Sequence, residues 1–316
     1  MKEKLKILII GAGIIGLYLA LKLNKLGQKV VIFEQKNKIG GKVCSALVSE
    51  RIKEFLPLSE KFILNKVDSC LIHFPKKTVK IIFKPKHFVI ERDKLENYLF
   101  QLAKNSGIEI FFNKRFDEMP LGFDKIIGCD GALSKIREKA FLSQSFKLGI
   151  LVSFPIKDFS NYVETWPIKN GFLWKIPKGQ ETEYGALGEP KSILKEFKKF
   201  LKEKNLYLRD FENKIKSALV PQKLVLAKLD NITLAGDAAG FIKPWSGGGI
   251  IWSLKAADVL IEHFPDFLEY KKAALTFFGP KILKGRMITN LVYFLGKNFP
   301  YLLPKKVRRD NNFPLI

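Results

Sequence analysis

Residues 5–34 leave this chain few ways to begin folding. An apolar run, LKILII, leads into GAGIIG at 11–16. LYLALKLNKLG then follows with helical spacing, and a second apolar run, KVVIFE, ends on Glu34. Strand, glycine turn, helix and strand in about 30 residues make the βαβ unit of a doubly wound sheet. Each glycine then has a mechanical task. Gly11 permits the tight turn, Gly13 lets the backbone approach a pyrophosphate, and Gly16 lets helix and strand pack closely. The phosphates are expected at the helix N-terminus, where unpaired N–H groups and the macrodipole favour anions. Glu34 is placed to accept hydrogen bonds from a ribose and to repel a 2′-phosphate, which points to FAD or NAD rather than NADP.

A second segment separates those two. Residues 232–249 read ITLAGDAAGFIKPWSGGG. A buried strand ends at Gly236-Asp237, a loop of small residues follows, and three glycines enter a helix. A carboxylate at Asp237, beside Ala238, Ala239 and Gly240, can meet a polyhydroxyl chain without steric obstruction. Gly247, Gly248 and Gly249 offer backbone N–H groups at a helix N-terminus, suited to the negative charge of a reduced flavin. A nicotinamide cofactor needs no such second site, so FAD is expected.

Between and after these motifs the texture changes. Residues 50–56 have the look of a short helix, and 67–90 alternate like antiparallel strands. Residues 92–106 carry Leu95, Leu99 and Leu102 on one helical face, closing at Gly107. From 141 to 221, Phe- and Pro-bearing strands precede a Lys-rich amphipathic helix near 191–205. Helices are expected at 250–264 and over 266–305. The predicted fold is therefore α/β: a Rossmann-like FAD-binding domain with an inserted antiparallel β-sheet substrate domain and a short C-terminal helical region. The expected division is 1–66 with 88–140 and 222–262 for the FAD-binding domain, 67–87 with 141–221 for the substrate domain, and 263–316 for the helical region.

Composition supports a packed, intracellular protein. The 316 residues are 47% hydrophobic, enough to exclude wholesale disorder. Apolar stretches break before 18 residues, so no transmembrane helix is expected. The first residues show no cleavage site, and a cytoplasmic location is the expectation. Cys44, Cys70 and Cys129 fit neither a disulfide framework nor a zinc site. His73, His87 and His263 lie on unrelated segments and suggest no metal or catalytic triad. A net charge of +24 favours anionic partners, but the lysines are spread along the chain and the charge alone decides nothing. With no RNA-recognition signature present, nucleic acid is not an expected partner.

Taken in order, these blocks resemble the p-hydroxybenzoate-hydroxylase-like flavoproteins, and most of all their geranylgeranyl reductase branch. GxGxxG with Glu34 matches the first motif of that superfamily. IIGCDGALSKIR at 126–137, with Asp130, Gly131, Ser134 and Arg137, is similar to its middle motif. GDAAGFIKPWSGGGI, with Pro244, the three glycines and Ile250, is similar to its C-terminal motif. Arg92 stands where the family has an arginine near the flavin pyrophosphate. IGGKVCSA at 39–46, with Gly41, Lys42 and Cys44, resembles the reductases' segment whose cysteine lies close to the isoalloxazine ring. FLWKIP at 172–177 resembles their Tyr-x-Trp-x-Phe-Pro motif, keeping Trp174 and Pro177 while Phe172 replaces the tyrosine and Ile176 the phenylalanine. The chain is also shorter than many members, with the loss expected after residue 262.

The resemblance implies an FAD-dependent reduction of carbon-carbon double bonds in geranylgeranyl chains of lipids or prenyl diphosphates. A hydroxylase of the same superfamily is the alternative. Such a reduction needs a hydride donor, a proton source and a dry apolar channel. Cys44 is the candidate acid or gate, with Phe172, Trp174 and Pro177 as candidate substrate residues. Cys70 and Cys129 read as structural. NAD(P)H and ferredoxin are both open as electron donors. The apolar, basic tail suggests contact with an anionic membrane on its inner face.

Overall fold

The computed structural model describes residues 4–207 and 214–310. In chain order the strands begin with β1 (Lys6–Ile10), β2 (Lys29–Phe33), β3 (Leu47–Ser49), β4 (Ile63–Phe74) and β5 (Lys77–Ile90). They continue with β6 (Glu109–Phe111), β7 (Lys125–Gly128), β8 (Phe146–Phe154), β9 (Tyr162–Ile168) and β10 (Gly171–Pro177). β11 (Thr182–Gly188), β12 (Lys216–Pro221), β13 (Ile232–Leu234) and β14 (Lys306–Arg309) complete them. The α-helices are α1 (Ile14–Lys25), α2 (Arg92–Asn105), α3 (Lys135–Lys139), α4 (Ile193–Glu203), α5 (Ile250–His263) and α6 (Phe267–Asn298).

Five strands form a parallel sheet in the order β13-β7-β1-β2-β6. Ile7, Leu8 and Ile9 at its centre are wholly buried, as expected for parallel strands covered on both faces. Leu17, Leu19 and Leu23 of α1 and Leu95 and Leu99 of α2 join the same core. The Tyr18 hydroxyl on α1 donates to Asp258 of α5 at 2.5 Å, joining the two dinucleotide-motif helices.

The second sheet runs β12-β8-β11-β10-β9-β4-β5-β14, with β3 also on β5. It is mainly antiparallel, but β4 pairs with β9, and β14 with β5, in parallel. On α4, Ile193, Phe197, Phe200 and Leu201 share one helical face, and they pack on Ile150, Val152, Leu173 and Tyr184 of the sheet. The α/β architecture is thus a Rossmann-like sheet joined to a large, mostly antiparallel one.

The short helix expected at 50–56 is a 3-10 helix over Glu50–Glu54, started by Ser49 accepting the Arg51 N–H at 3.3 Å. Two details differ from the expectations. The tail is not short: α6 is one helix of 32 residues running through Pro280. It ends in a strand, β14, which lies on the edge of β5. The large sheet therefore draws in 47–49, 63–66, 88–90 and 306–309 besides the expected 67–87 and 141–221. Among the described residues, no helix is long and apolar enough to cross a membrane.

Candidate active site

The carboxyl ends of β1, β2 and β7 face the large sheet across a cavity of about 710 Å³. Two helices open into it. α1 starts at Gly13 and α5 at Gly249, and neither N-terminus has a side-chain cap or an acidic residue in its first turn. Each therefore presents free N–H groups and about half a positive charge to the cavity.

The glycines divide by task. Gly11 has φ +105°, and a Cβ there would lie 2.5 Å from the Cys129 carbonyl oxygen. Gly16 is absent from the wall; a Cβ on it would lie 1.9 Å from the Gly11 carbonyl oxygen, so it serves helix packing. Gly13 has open space around it. A Cβ on Gly247, at φ +67°, would lie 2.8 Å from Leu187 Cδ2, and one on Gly249 would lie 2.6 Å from Ile242 Cδ1. Gly248 and Ile250 also line the cavity.

The acids follow. Glu34 is buried at the wall and accepts the Ala12 N–H at 2.8 Å through Oε2 and the Lys36 N–H at 2.9 Å through Oε1. The carboxylate is aimed, and each oxygen keeps a lone pair for a sugar hydroxyl. Asp130, beside Gly131, accepts the Lys135 N–H through Oδ2 at 2.6 Å, while its buried Oδ1 has no partner. Burial raises this carboxyl above its ordinary range, against the hydrogen bonds of Ser134 and the helix backbone. Arg137 donates to the Ala238 and Ala132 carbonyls at 3.1 and 2.6 Å, so it joins the middle motif to the C-terminal one.

Lys42 donates to Asp237 Oδ2 at 2.5 Å. Burial pushes the Asp237 carboxyl up, but the Lys42 and Arg92 charges outweigh it and hold the group below its ordinary value. Arg92 is locked by Nε and Nη2 to Glu96 Oε1 at 2.9 and 2.8 Å. Burial opposes its charge, yet the adjacent Cys44 and Glu96 keep the guanidinium above its usual range. Cys44 lies on the wall, and its sulfur accepts the Ala46 N–H at 3.3 Å. Gly41, at φ +69°, shapes this loop through its N–H to Asp93 but is not on the wall. Pro244 is also off the wall, facing Gly285 of α6.

Of the substrate candidates, Phe172 and Trp174 line the cavity with Leu151, Leu187 and Leu219 of neighbouring strands. Pro177 is not brought to it; that residue is buried opposite Thr182, with its carbonyl accepting Asn65. Sequence reasoning missed what holds Trp174. Its indole N–H donates to the buried Glu183 at 2.9 Å, and its ring occupies the space left by Gly185, where a Cβ would sit 2.1 Å away. An alternating strand pattern carries no signal of either contact. Lys243 was missed as well, although a lysine inside a small-residue loop stands out. Cys129 lines the cavity with its thiol raised by desolvation, whereas the partly buried Cys70 lies in the large sheet and is pushed up to about 12 by desolvation. No group of metal ligands occurs among the described residues.

Residues 9–54 match the NAD(P)-binding Rossmann-like domain family. Digeranylgeranylglycerophospholipid reductase of Methanothrix thermoacetophila is 24% identical over 302 residues, covering 82% of this chain and 77% of its own. The reductase of the same name from Methanococcus aeolicus is 25% identical over 293 residues, covering 80% and 74%. The chain is an FAD-dependent oxidoreductase whose sequence is similar to these geranylgeranyl lipid reductases. The fold of this flavoprotein is shared by a geranylgeranyl bacteriochlorophyll reductase-like protein of Thermoplasma acidophilum, at TM-score 0.75 and 19% identity over 93% of this chain and 88% of that one. It is also shared by a probable FAD-dependent monooxygenase of Pseudomonas aeruginosa, at TM-score 0.70 and 14% identity over 94% and 97%. The FAD complex of CtdE has the same fold, at TM-score 0.66 and 14% identity over 92% and 93%.

The flavoprotein's own residues fit FAD. Two uncapped helix N-termini suit a pyrophosphate and an electron-rich ring, the aimed Glu34 suits a ribose, and the orphaned Asp130 oxygen needs a donor such as a hydroxyl.

Proposed function

We propose that this flavoprotein reduces carbon-carbon double bonds of geranylgeranyl chains carried by lipids or prenyl diphosphates. The observation that carries the reading is the apolar wall of Phe172, Trp174, Leu151, Leu187 and Leu219, which lines the same cavity as the glycine cradle. The names of the archaeal relatives add support.

When bound, FAD supplies hydride from its reduced ring. The residues then have separate work. Gly11, Gly13 and the α1 N-terminus hold the pyrophosphate, Glu34 the ribose, and Asp130 and Asp237 the remaining hydroxyls. Gly247 to Gly249 receive the ring. Phe172 and Trp174 exclude water, because a developing carbocation is captured by water unless the site is dry. Cys44, beside Arg92, is the proposed acid or gate. The inserted sheet is the proposed substrate domain. NAD(P)H and ferredoxin are the proposed electron donors.

The outer face of α6 suits a lipid surface. Leu283, Met287, Leu291 and Phe294 form an exposed stripe, with exposed Lys284, Arg286 and Lys297 beside it. An anionic bilayer offers both the apolar phase and the countercharge. Flotation with anionic but not neutral vesicles supports this placement, and no flotation with either refutes it.

The reading is tested by reducing the purified holoprotein without oxygen and adding a geranylgeranyl phospholipid. Reoxidation of the flavin with loss of a double bond in the recovered lipid supports the proposal. Reoxidation only by oxygen, with a hydroxylated aromatic product, favours the monooxygenase reading.

A further inference from the structure

Lys243 stands in a place where a lysine has a cost. Its side chain is buried at the cavity wall, inside the loop that precedes the three glycines. That loop closes on itself: the Lys243 N–H donates to the Gly248 carbonyl at 3.1 Å, and the Gly247 N–H donates to the Lys243 carbonyl at 3.0 Å. The closure folds the lysine across Gly248, so that a Cβ built there would lie 3.3 Å from its Cε and 3.7 Å from its Nζ. The ammonium therefore sits beside the backbone groups of the cradle. Burial lowers its pKa to about 8, against the field of Asp310, which raises it.

Asp310 arrives from the far end of the chain. It follows β14, whose parallel pairing with β5 sets its position, and its Oδ2 accepts Arg51 Nε at 2.9 Å. Among the described residues, the other charged or titratable groups around this corner are few. His87 on β5 is held neutral by burial and by the Lys243 charge, down to about pH 3. Asp237 is paired with Lys42, and Arg92 with Glu96.

We propose that Lys243, in the field of Asp310, is the resident cation of the glycine cradle and stabilises the negative charge that a bound flavin gains on reduction. A flavin that takes up two electrons and one proton carries one negative charge. A buried ammonium beside it opposes that charge in a medium of low dielectric, where the interaction is strong. The inference rests on FAD occupying this cradle, and not on which oxidant the reduced protein meets.

The experiment is the midpoint potential of the bound flavin from pH 6 to 10, by equilibration with reference dyes. In the native protein the slope should steepen above pH 8. There, reduction draws a second proton onto Lys243, doubling the slope from about 30 mV per pH unit. Lys243→Met should lower the reduced-to-oxidised ratio at fixed potential and pH 7 by ten- to a hundredfold, about 30–60 mV, and abolish the steepening. Lys243→Arg should keep the pH 7 potential and lose the steepening, because its charge does not titrate in this range. Asp310→Asn should move the steepening to lower pH. A Lys243→Met protein with native potential and slope overturns the proposal. If that variant retains no FAD, a steepening that persists in Lys243→Arg overturns it equally. Failure of geranylgeranyl lipids to reoxidise the protein touches the substrate reading alone and leaves these potentials to decide this one.

Discussion

Lys42 and Asp237, 195 positions apart in sequence, meet at 2.5 Å on the cavity wall. The contact closes the loop after β2 over the loop after β13. It also pairs the half-buried Asp237 carboxylate, whose charge would otherwise stand alone on the cavity wall.

Removing only the cation should therefore be worse than removing both partners. Lys42→Met is expected to weaken FAD binding by ten- to a hundredfold, about 1.5–3 kcal/mol, by leaving Asp237 charged and unpaired. Adding Asp237→Asn should recover part of the loss, the non-additivity of coupled neighbours. Fluorescence titration of the apoprotein with FAD measures both, and strictly additive effects would count against the pairing argument.

Gly13 and Gly16 lie three residues apart and should fail differently. A Cβ on Gly13 meets nothing in the protein, so Gly13→Ala should cost less than about 1 kcal/mol of apoprotein stability while weakening FAD binding. A Cβ on Gly16 would strike the Gly11 carbonyl oxygen, so Gly16→Ala should destabilise by about 1–3 kcal/mol or more. Urea denaturation beside FAD titration separates the two effects.

The glycine motifs were legible in the sequence because their chemistry is local. A turn, a close approach and a helix start each need a specific residue at a specific spacing. The parallel sheet was legible for the same reason, since its buried strands read as unbroken apolar runs. β14 was not legible. Lys306 to Arg309 contain one apolar residue, and the strand exists because β5 offers it an unpaired edge. Glu183 and Gly185 were hidden too, for their meaning depends on the Trp174 ring lying across the neighbouring strand. The Asp310 charge acts on Lys243 from a position that the same β14 pairing sets, which no local pattern announces.

Gly185→Ala should displace the Trp174 ring and break its hydrogen bond to Glu183. The expected result is altered tryptophan fluorescence and at least tenfold slower reoxidation by a long isoprenoid, with FAD affinity retained. Trp174→Ala should have the same kinetic effect. Native turnover in both variants would remove Trp174 from the substrate wall.

His87 should shape the acid limb of the stability curve. Its pKa is lowered by burial and by Lys243 to about 3, against 6.5 in an unfolded chain. Below pH 6.5 the unfolded state therefore binds the extra proton. The native state loses up to about 1.4 kcal/mol per pH unit until pH falls to about 3. Replacing His87 with Leu should flatten this limb between pH 6 and 4, as read from urea midpoints. An unchanged slope would assign the acid sensitivity to other groups.

The measurement that bears most directly on the account is the anaerobic absorbance of the chemically reduced holoprotein when digeranylgeranylglycerophospholipid is added. The account predicts that the oxidised flavin bands return with the lipid and not with its saturated counterpart, and that the recovered lipid has gained hydrogen. A flavin that stays reduced with the lipid and reoxidises only when oxygen is admitted contradicts it.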